Sequence, residues 1–503
     1  MAGRRLGRIP VQAVGRWGSE QLFLTEIGGM MRFAEYSEYD AVGLAHLLKS
    51  GQVSALEVQE LARQALEAVN PALNALVGEP FAQPLSFVPD GPLAGVPFLI
   101  KDLSLHAAGV RTGLGTRLSG EGIVFPHDSE LMTRFRQAGL ATLGRTATPE
   151  FGFNATTEPL CNGAAHNPWD LARSPGGSSG GSAALVAIRA IPLAHGTDGA
   201  GSLRIPAAWC GLVGLKPTRG RTPPGPDADE RLSGLGIDFA LTRTVRDAAA
   251  LLDAVCGPGI GDKYFAAPPE HPYTRELHTP PERLRIALTT RAWSEVPVDQ
   301  EYAAAVSLVG RELAGLGHEV EEASPQVEWE RFVDASLPIW TASLADTVEG
   351  LAGARGVAAG PDVLEAVTLA SVAYGHRLTA TDLLQAFRLS NTITRGVSAF
   401  FQTYDVLLTP TVAGPPPLLG MLDQNAPDLD PRGWLSRLFE LIPFTPLFNM
   451  TGQPAISLPL VQAHAGLPIG IQLVARYGDE ATLLRLAAQL EQALPWQRRR
   501  PSL

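Results

Sequence analysis

Short apolar runs, separated by glycine and proline, alternate with helical periodicities along most of this 503-residue chain. The runs stand in the segments GPLAGVPFLIKDL, LATLGRTATPEFG, DVLLTPTV, QPAISLPL and PIGIQLVA. Runs of this kind, interleaved with helical stretches, are typical of strands in a mostly buried sheet with helices around it. Because short apolar runs of this kind occur near both ends of the chain, the pattern predicts an α/β fold with one large domain at residues 36–503.

Apolar positions at helical spacing predict the helices. Helices are predicted at 41–48, 55–69, 128–138, 300–317 and 480–494, with several more in 325–400. Ser54 precedes the second of them and Glu57 follows three residues later, which predicts a capping box at its start.

Two segments are predicted to contain little regular structure. Residues 163–225 are rich in Gly, Ser and Pro, a composition that suits close approach of the backbone to a ligand better than helices or strands. Residues 1–35 have no clear period and are predicted to be a disordered tail, in which Met30 and Met31 would offer a later start.

Composition narrows the classes of function. Asp and Glu number 51 against 40 Lys and Arg, a formal net charge of −11, whereas nucleic-acid binding needs a basic face. No run reaches the roughly 18 apolar residues that span a bilayer, and the first residues lack the apolar core of a secretory signal. Three scattered cysteines suit neither a disulfide framework nor a zinc site, and no His/Cys/Asp cluster has ligand spacing. We therefore expect a cytoplasmic protein that binds no nucleic acid, membrane or metal.

Lysine is rare in this chain. Only four of the 40 basic residues are lysines: Lys49, Lys101, Lys216 and Lys263. Where arginine is the default cation, a retained lysine suggests a role that needs loss of the proton. Lys101 and Lys216 each follow an apolar run, and burial lowers the pKa of a lysine toward that of a general base. The alternative for Lys101 is a lysine at a strand end whose ammonium reaches solvent.

The segment 174–182 is the first candidate for nucleophilic chemistry. Its residues 176–180 match the G-x-S-x-G nucleophile elbow of α/β-hydrolases, with Ser178 at the serine position. A phosphate-binding P-loop is disfavoured because no Gly-Lys-Ser/Thr follows. The alternative to a catalytic elbow is a flexible surface loop.

A second candidate is the turn that precedes Ser202. The residues before this serine are small: Gly199, Ala200 and Gly201. In a tight turn their backbone N–H groups can converge on one point and form an oxyanion hole. Asp198 and Arg204 flank the turn and could pair to hold it. The alternative is an ordinary glycine turn with a surface ion pair.

Together these pieces resemble the amidase signature family of serine hydrolases. Residues 176–207 fit its pattern throughout, with GGSSGGS followed by D-x-[GA]-x-S-[LIVM]-R-x-P. The segments GPLAGVPFLIKD, GLKPTRGR and YDVLLTPT extend the resemblance to about residues 37–495. The resemblance implies amide hydrolysis without cofactor or metal. It also implies a single α/β domain whose central mixed β-sheet is covered by helices on both faces.

The family uses a Ser–cisSer–Lys triad, and each member has a matching position here. The resemblance places Ser202 as nucleophile, Ser178 as the bridging serine that follows a cis peptide bond, and Lys101 as base. It implies that Lys101 takes a proton from Ser178, which takes one from Ser202 during attack on the carbonyl. Ala200 stands where many members have glycine, so its methyl group would narrow the approach to the oxyanion hole.

Substrate choice is less readable from the sequence. HGTDGAGSLRIPA and the ending LPWQRRRPSL are most similar to the branch that hydrolyses 6-aminohexanoate cyclic dimer, so the resemblance implies a small linear or cyclic amide as partner. A homodimer is a candidate assembly, and the sequence leaves the oligomeric state open. Some aromatic residues are either pocket-lining or core: Trp340, Phe387, Phe400 and Phe401. Three alternatives remain. They are a glutaminase subunit of a tRNA-dependent amidotransferase, a non-catalytic binding protein on the same scaffold, and a Ser-His-Asp esterase that uses Ser178.

Overall fold

The computed structural model describes residues 31–426 and 429–502. The strands in these residues are β1 Pro97–Lys101, β2 Arg111–Thr112, β3 Ile123–Val124, β4 Ala141–Thr146, β5 Leu193–Asp198, β6 Val213–Lys216, β7 Ile237–Thr242, β8 Arg285–Leu288, β9 Glu319–Glu322, β10 Val406–Pro410, β11 Ala455–Gln462 and β12 Pro468–Ala475. The helices are α1 Phe33–Tyr36, α2 Ala41–Lys49, α3 Ala55–Leu73, α4 Glu130–Gln137, α5 Gly180–Ala187, α6 Arg204–Cys210, α7 Val245–Val255, α8 Tyr273–Glu276, α9 Gln300–Gly315, α10 Trp329–Arg355, α11 Ala366–Gly375, α12 Ala380–Phe400, α13 Pro431–Leu441, α14 Pro446–Thr451 and α15 Glu480–Ala493. Short 3₁₀ turns lie at Arg117–Ser119, Glu150–Gly152 and Arg231–Gly234.

Ten of these strands form one mixed sheet, in the order β4-β1-β5-β7-β6-β11-β12-β10-β8-β9. Strand β1 runs parallel to both β4 and β5, whereas β5 is antiparallel to β7. Strand β11, near the C-terminus, pairs antiparallel with β6 in the middle of the chain. The sheet therefore joins distant segments, and the predicted mixed α/β architecture is confirmed.

The sheet is buried on both faces. Every residue of β1, β5, β7 and β12 is buried, although side chains alternate between the two faces of a strand. Helix α6 packs on β6, β11 and β12, helix α15 on β11 and β12, and helix α9 on β10. This packing explains why the strand sequences are continuous apolar runs rather than alternating ones.

Most predicted helices are confirmed, with shifted ends. The capping box is present, with Glu57 N donating to Ser54 Oγ at 3.2 Å and Ser54 N donating to Glu57 Oε2 at 3.4 Å. Helix α3 then continues through Pro71, beyond the predicted end at residue 69. Helix α4 is shorter than predicted, because Ser129 caps it and it begins at Glu130.

The expectation of little regular structure in 163–225 is wrong. The segment contains α5, β5, α6 and β6, all of them buried. Glycine is needed there for packing: a Cβ at Gly181 would lie 2.5 Å from backbone atoms of Ala75 and Ala147. The small residues let α5 approach its neighbours closely, and this packing outweighs the low helix propensity of glycine.

Most of the predicted N-terminal tail lies outside the described residues. Within its last positions, α1 begins at Phe33, and Tyr36, the first residue of the predicted domain, is buried with its hydroxyl bonded to Ala190 O at 3.0 Å. Over the described ranges, no helix has the length and apolar character needed to cross a bilayer.

Candidate active site

Lys101 is the last residue of β1 and is fully buried. Its Nζ lies 2.6 Å from Ser178 Oγ, 3.1 Å from Ser179 Oγ and 2.7 Å from Thr197 Oγ1. Strands β1 and β5 are parallel neighbours, so their carboxyl ends lie at the same edge of the sheet. Thr197 near the end of β5 therefore faces Lys101, and the turn bearing Ser202 follows directly. The amine is surrounded by hydroxyl groups.

The charge state of Lys101 is set mainly by its burial. Desolvation lowers the pKa of the amine to about 7, against the opposing effect of the Asp238 and Asp198 carboxylates. Asp238 lies on β7, where burial raises the pKa of its carboxyl group although Arg231 lies 3.3 Å away. Near neutral pH, Lys101 is thus held close to the boundary between ammonium and free amine.

Ser178 lies in the loop before α5. The loop packs tightly, because a Cβ at Gly177 would collide with the backbone oxygen of Thr156. The Gly177–Ser178 peptide bond is cis, as the resemblance implies. Ser178 is buried, and the structure brings it to Lys101 as expected.

Ser202 lies in the turn between β5 and α6. Gly201 adopts a φ of +127°, a conformation that favours glycine, and its N–H donates to Asp198 Oδ1 at 2.8 Å. No hydrogen bond joins Ser202 Oγ to Ser178 Oγ in residues 31–426 and 429–502. The N–H groups of Gly199, Ala200 and Ser202 likewise have no bonded partner within those ranges, so they are the donors that the turn leaves available. The expectation that Gly201 also donates to an oxyanion is wrong, because its N–H is already bonded to Asp198.

Asp198 and Arg204 pair beneath the turn, fully buried rather than at the surface. Arg204 Nη2 donates to Asp198 Oδ1 at 2.9 Å and its Nε donates to Oδ2 at 3.0 Å, a two-point contact. Burial alone would raise the pKa of the Asp198 carboxyl group, but the Arg204 charge and its hydrogen bonds outweigh it and hold the pKa below the usual range. The carboxylate also accepts from Leu203 N at 3.2 Å and so fixes the turn.

Several residues of the site were not identified from the sequence. Ser179 and Thr197 hold the Lys101 amine, and their positions inside GGSSG and HGTDG were the available signal. Asn449 donates to the backbone oxygen of Asp198 at 2.8 Å and accepts from Arg204 at 2.7 Å. Thr445 Oγ1 donates to Ala200 O at 2.7 Å. Asn449 and Thr445 lie more than 240 residues from the turn, so no local pattern marked them.

A narrow pocket opens beside Ser202. Its lining contains no charged side chain: Gly152, Phe153, Asn154, Ala155, Ala200, Ser202, Ile205, Trp340, Leu435, Leu438, Phe439 and Ile442. Trp340 on α10 stacks on Phe153 with ring centroids 5.2 Å apart. Of the other aromatic candidates, Phe387 lines a surface hollow elsewhere, Phe400 stacks on Tyr404 and Phe401 is buried in the core.

Comparison with known proteins gives consistent matches along the chain. The family model described as Amidase matches residues 66–484. The 6-aminohexanoate-cyclic-dimer hydrolase of Paenarthrobacter ureafaciens is 40% identical over 476 residues, which cover 92% of this chain and 96% of that protein.

Solved structures agree. A structure of 6-aminohexanoate cyclic dimer hydrolase superposes with a TM-score of 0.87 at 38% identity, covering 92% of this chain and 99% of the other. A glutamyl-tRNA(Gln) amidotransferase subunit from Thermotoga maritima superposes with a TM-score of 0.74 at 25% identity, covering 93% and 97%.

Proposed function

This chain belongs to the amidase family and is an amidase, a hydrolase of carbon–nitrogen bonds other than peptide bonds; on that basis we propose that it cleaves a small linear or cyclic amide through a serine acyl-enzyme. The first substrate that we propose is 6-aminohexanoate cyclic dimer. The observation that carries the mechanism is the buried amine of Lys101, 2.6 Å from Ser178 Oγ and beside the turn that bears Ser202.

The proposed proton path runs from Ser202 through Ser178 to Lys101. A neutral lysine amine has two N–H groups and one lone pair. The N–H groups face Ser179 Oγ and Thr197 Oγ1, which leaves the lone pair for the hydroxyl proton of Ser178. As Ser202 Oγ attacks the carbonyl carbon, its proton moves to Ser178 Oγ while the Ser178 proton moves to Lys101 Nζ.

The same groups act in reverse to release the amine. The carbon–nitrogen bond breaks, and Lys101 returns its proton through Ser178 to the leaving nitrogen. Water then attacks the acyl-enzyme and frees Ser202. Because catalytic hydrogen bonds often tighten only in the substrate complex, we propose that the Ser178–Ser202 contact forms when the amide binds.

The proposed oxyanion hole comprises the N–H groups of Gly199, Ala200 and Ser202. Gly201 contributes through shape, because its own N–H is bonded to Asp198. Each such donor stabilises the developing charge by about 2.7–4 kcal/mol where it is aimed at the oxyanion. The pair formed by Asp198 and Arg204 holds this turn in place before substrate arrives.

The chemical character of the pocket favours an uncharged substrate. The lining offers apolar side chains and the Ser202 hydroxyl, with no counterion for a charged group. The Asn154 amide also lines the pocket, but it is already bonded to Leu422 O, Gln424 Oε1 and Thr156 N. A free ammonium or carboxylate would lose its hydration there without compensation. The cyclic dimer carries neither, because its two amides close the ring, whereas linear oligomers carry both. The relative that is 40% identical is named for this substrate.

The glutaminase alternative is less well supported. The amidotransferase protein matches at 25% identity, against 38% for the cyclic dimer hydrolase structure. Glutamine is also zwitterionic and therefore poorly suited to the uncharged pocket.

We propose that the protein is located in the cytoplasm. The three cysteines are free thiols, which supports a reducing compartment.

The test is amine release by the purified chain from four substrates: 6-aminohexanoate cyclic dimer, its linear dimer, an aryl amide and glutamine. We expect cyclic dimer turnover by the wild type and none by Ser202→Ala. Turnover of glutamine alone would favour the glutaminase function. Equal rates in both proteins would contradict the nucleophile assignment.

A further inference from the structure

Two histidines and an aspartate converge outside the Ser202 pocket. His106 follows β1, His127 precedes α4, and Asp227 lies in the loop between β6 and β7. Their candidate ligand atoms all lie within 4.8 Å of one another. Asp227 Oδ2 is 3.1 Å from His106 Nε2 and 3.0 Å from His127 Nε2, so both imidazoles face one carboxylate oxygen.

The buried imidazole of His106 has an unsatisfied nitrogen. The residue is only 4% exposed and stacks on Phe125, with ring centroids 3.8 Å apart. Its Nε2 has no hydrogen-bond partner in the described chain, because the contact with Asp227 has the distance but not the alignment of a hydrogen bond. A bound ion would satisfy this buried nitrogen, which lies beside a carboxylate and a second imidazole.

The three ligand loops are fixed to one another by their backbones. Ser129 N donates to His106 O at 3.0 Å, and Glu130 N donates to Gly225 O at 2.8 Å. These bonds tie the loop of His106 to the start of α4 and the start of α4 to the loop of Asp227. The cluster is therefore held before any ligand binds.

From this geometry we propose that His106, His127 and Asp227 bind one divalent transition-metal ion of the zinc class, with water completing the shell. Two donors about 2.1 Å from a tetrahedral ion lie roughly 3.4 Å apart, close to the 3.1 Å and 3.0 Å that separate Asp227 Oδ2 from the two imidazole nitrogens. Two imidazoles and one carboxylate suit zinc, cobalt or nickel better than magnesium or calcium, which prefer oxygen ligands.

The charged side chains next to the cluster are already paired with other residues, so they do not occupy its ligand atoms. Asp128 is beside it and is neutralised by Arg136, at 2.6 Å. Arg231 approaches from the other side, where it pairs with Asp238 at 3.3 Å.

The role of the ion would be structural. None of its three ligands lines the Ser202 pocket. The loop that carries Asp227 continues to Leu232, which packs beside Gly199 in the candidate oxyanion turn, and to Ser233, which is 3.2 Å from Ser343 on α10. A metal at the cluster would therefore restrain the loop at 227–233, which contacts both the candidate oxyanion turn and α10.

The experiment is titration of the tag-free, chelator-treated full chain with cobalt(II) at about pH 7.5, where a free imidazole is mostly neutral. Visible absorption reports coordination, and calorimetry with zinc gives the stoichiometry. We expect one equivalent to bind, with the intense bands of a tetrahedral cobalt site, and zinc to raise the unfolding temperature.

The variants are His127→Gln and Asp227→Asn. Both side chains are about half exposed, so the fold should tolerate them. Because loss of an outer-shell partner alone costs roughly 10–100-fold in metal affinity, losing a ligand should weaken binding by at least about 100-fold. The matched control is His376→Ala, which removes an exposed histidine 2.8 Å from Glu349 and should leave binding unchanged.

Three results would overturn the proposal. They are no stoichiometric binding by the wild type, binding that persists in both ligand variants, or equal loss in the control. The outcome is independent of amide hydrolysis, since the signals are spectroscopic and calorimetric.

Discussion

Lys101 Nζ and Ser178 Oγ lie 2.6 Å apart although 77 residues separate them in the chain. The lysine ends a buried strand and the serine precedes a buried helix, so neither can move far without disturbing the core. Burial both depresses the pKa of the amine and removes competing water from its lone pair. The contact between Lys101 and Ser178 therefore supplies the base of the proposed mechanism.

Lys101→Met should abolish most turnover while the protein stays folded. The methionine keeps the length of the side chain and removes the base, whose contribution is typically about 10²–10⁴-fold. Lys216→Met is the matched control, because Lys216 is equally buried with a pKa lowered by burial to about 7. Among the residues that the structure describes, its Nζ bonds only Pro217 O. Steady-state rates measure turnover by both variants, and circular dichroism measures their folding. A Lys101→Met enzyme with the wild-type rate would contradict the assignment of Lys101 as the base.

The two serines should differ in the size of their effects. Ser202→Ala removes the nucleophile and should lower kcat/KM by about 10⁴-fold or more. Ser178→Ala removes only the relay and should cost about 10²–10⁴-fold. Mass spectrometry with a slow aryl ester should trap an acyl group on Ser202. An acyl group found on Ser178 instead would restore the elbow interpretation of residues 176–180.

Activity should rise with pH through the titration of Lys101. The neutral amine is the active form, and with its pKa at about 7 the fraction of this form increases from mildly acidic to alkaline pH. Asp238→Asn removes a carboxylate that stabilises the ammonium, so the rising limb should move to lower pH. Asp229→Asn, at an exposed pair with Lys263, is the control and should leave the profile in place. The measurement is kcat/KM against pH, and a limb that moves upward in Asp238→Asn would contradict the electrostatic argument.

Asp198→Asn should destabilise the protein severely. The change leaves Arg204 buried without its counter-charge, and breaking such a pair costs about 3–5 kcal/mol. In the wild type, the folded pKa of Asp198 lies below its unfolded value. The pair therefore makes its full contribution to the free energy of unfolding above about pH 4. This contribution is lost only as the pH falls through the lower pKa that Asp198 has in the folded state.

Urea unfolding at neutral pH measures the cost of Asp198→Asn. Arg432→Gln is the control, because its contacts with Glu330 and Asp334 are exposed and should contribute no more than about 1 kcal/mol. Similar losses in the two variants would show that burial of the Asp198–Arg204 pair has no energetic consequence.

Leu438→Glu should lower turnover of the cyclic dimer more than turnover of the linear dimer. The substitution puts a carboxylate into the uncharged pocket beside Ser202, where a neutral substrate gains nothing from it. We expect kcat/KM for the cyclic dimer to fall by about 10-fold or more, with a smaller loss for the linear dimer, whose ammonium gains a counter-charge. Leu384→Glu on the exposed face of α12 is the control. Equal losses for both substrates would argue against the proposed pocket.

Features that contiguous residues encode were predictable from the amino-acid sequence. The capping box of α3 and the bounds of β12 depend on local hydrogen bonds and apolar patterning. The Ser178 and Ser202 motifs are contiguous as well, which made the family recognisable. The same local reasoning failed in residues 163–225, where tight packing of glycine against distant backbone overrides its low propensity for helix.

Which distant groups meet depends on the folded chain as a whole. Asn449 reaches the turn of Asp198 because β11 joins the middle of the sheet, and Trp340 rather than Phe387 lines the pocket because α10 lies beside Phe153. The cluster of His106, His127 and Asp227 has no ligand spacing in the chain and exists only through loop packing. Contacts of this kind follow from strand order and helix placement, which are set by the burial of the whole chain and not by any short segment.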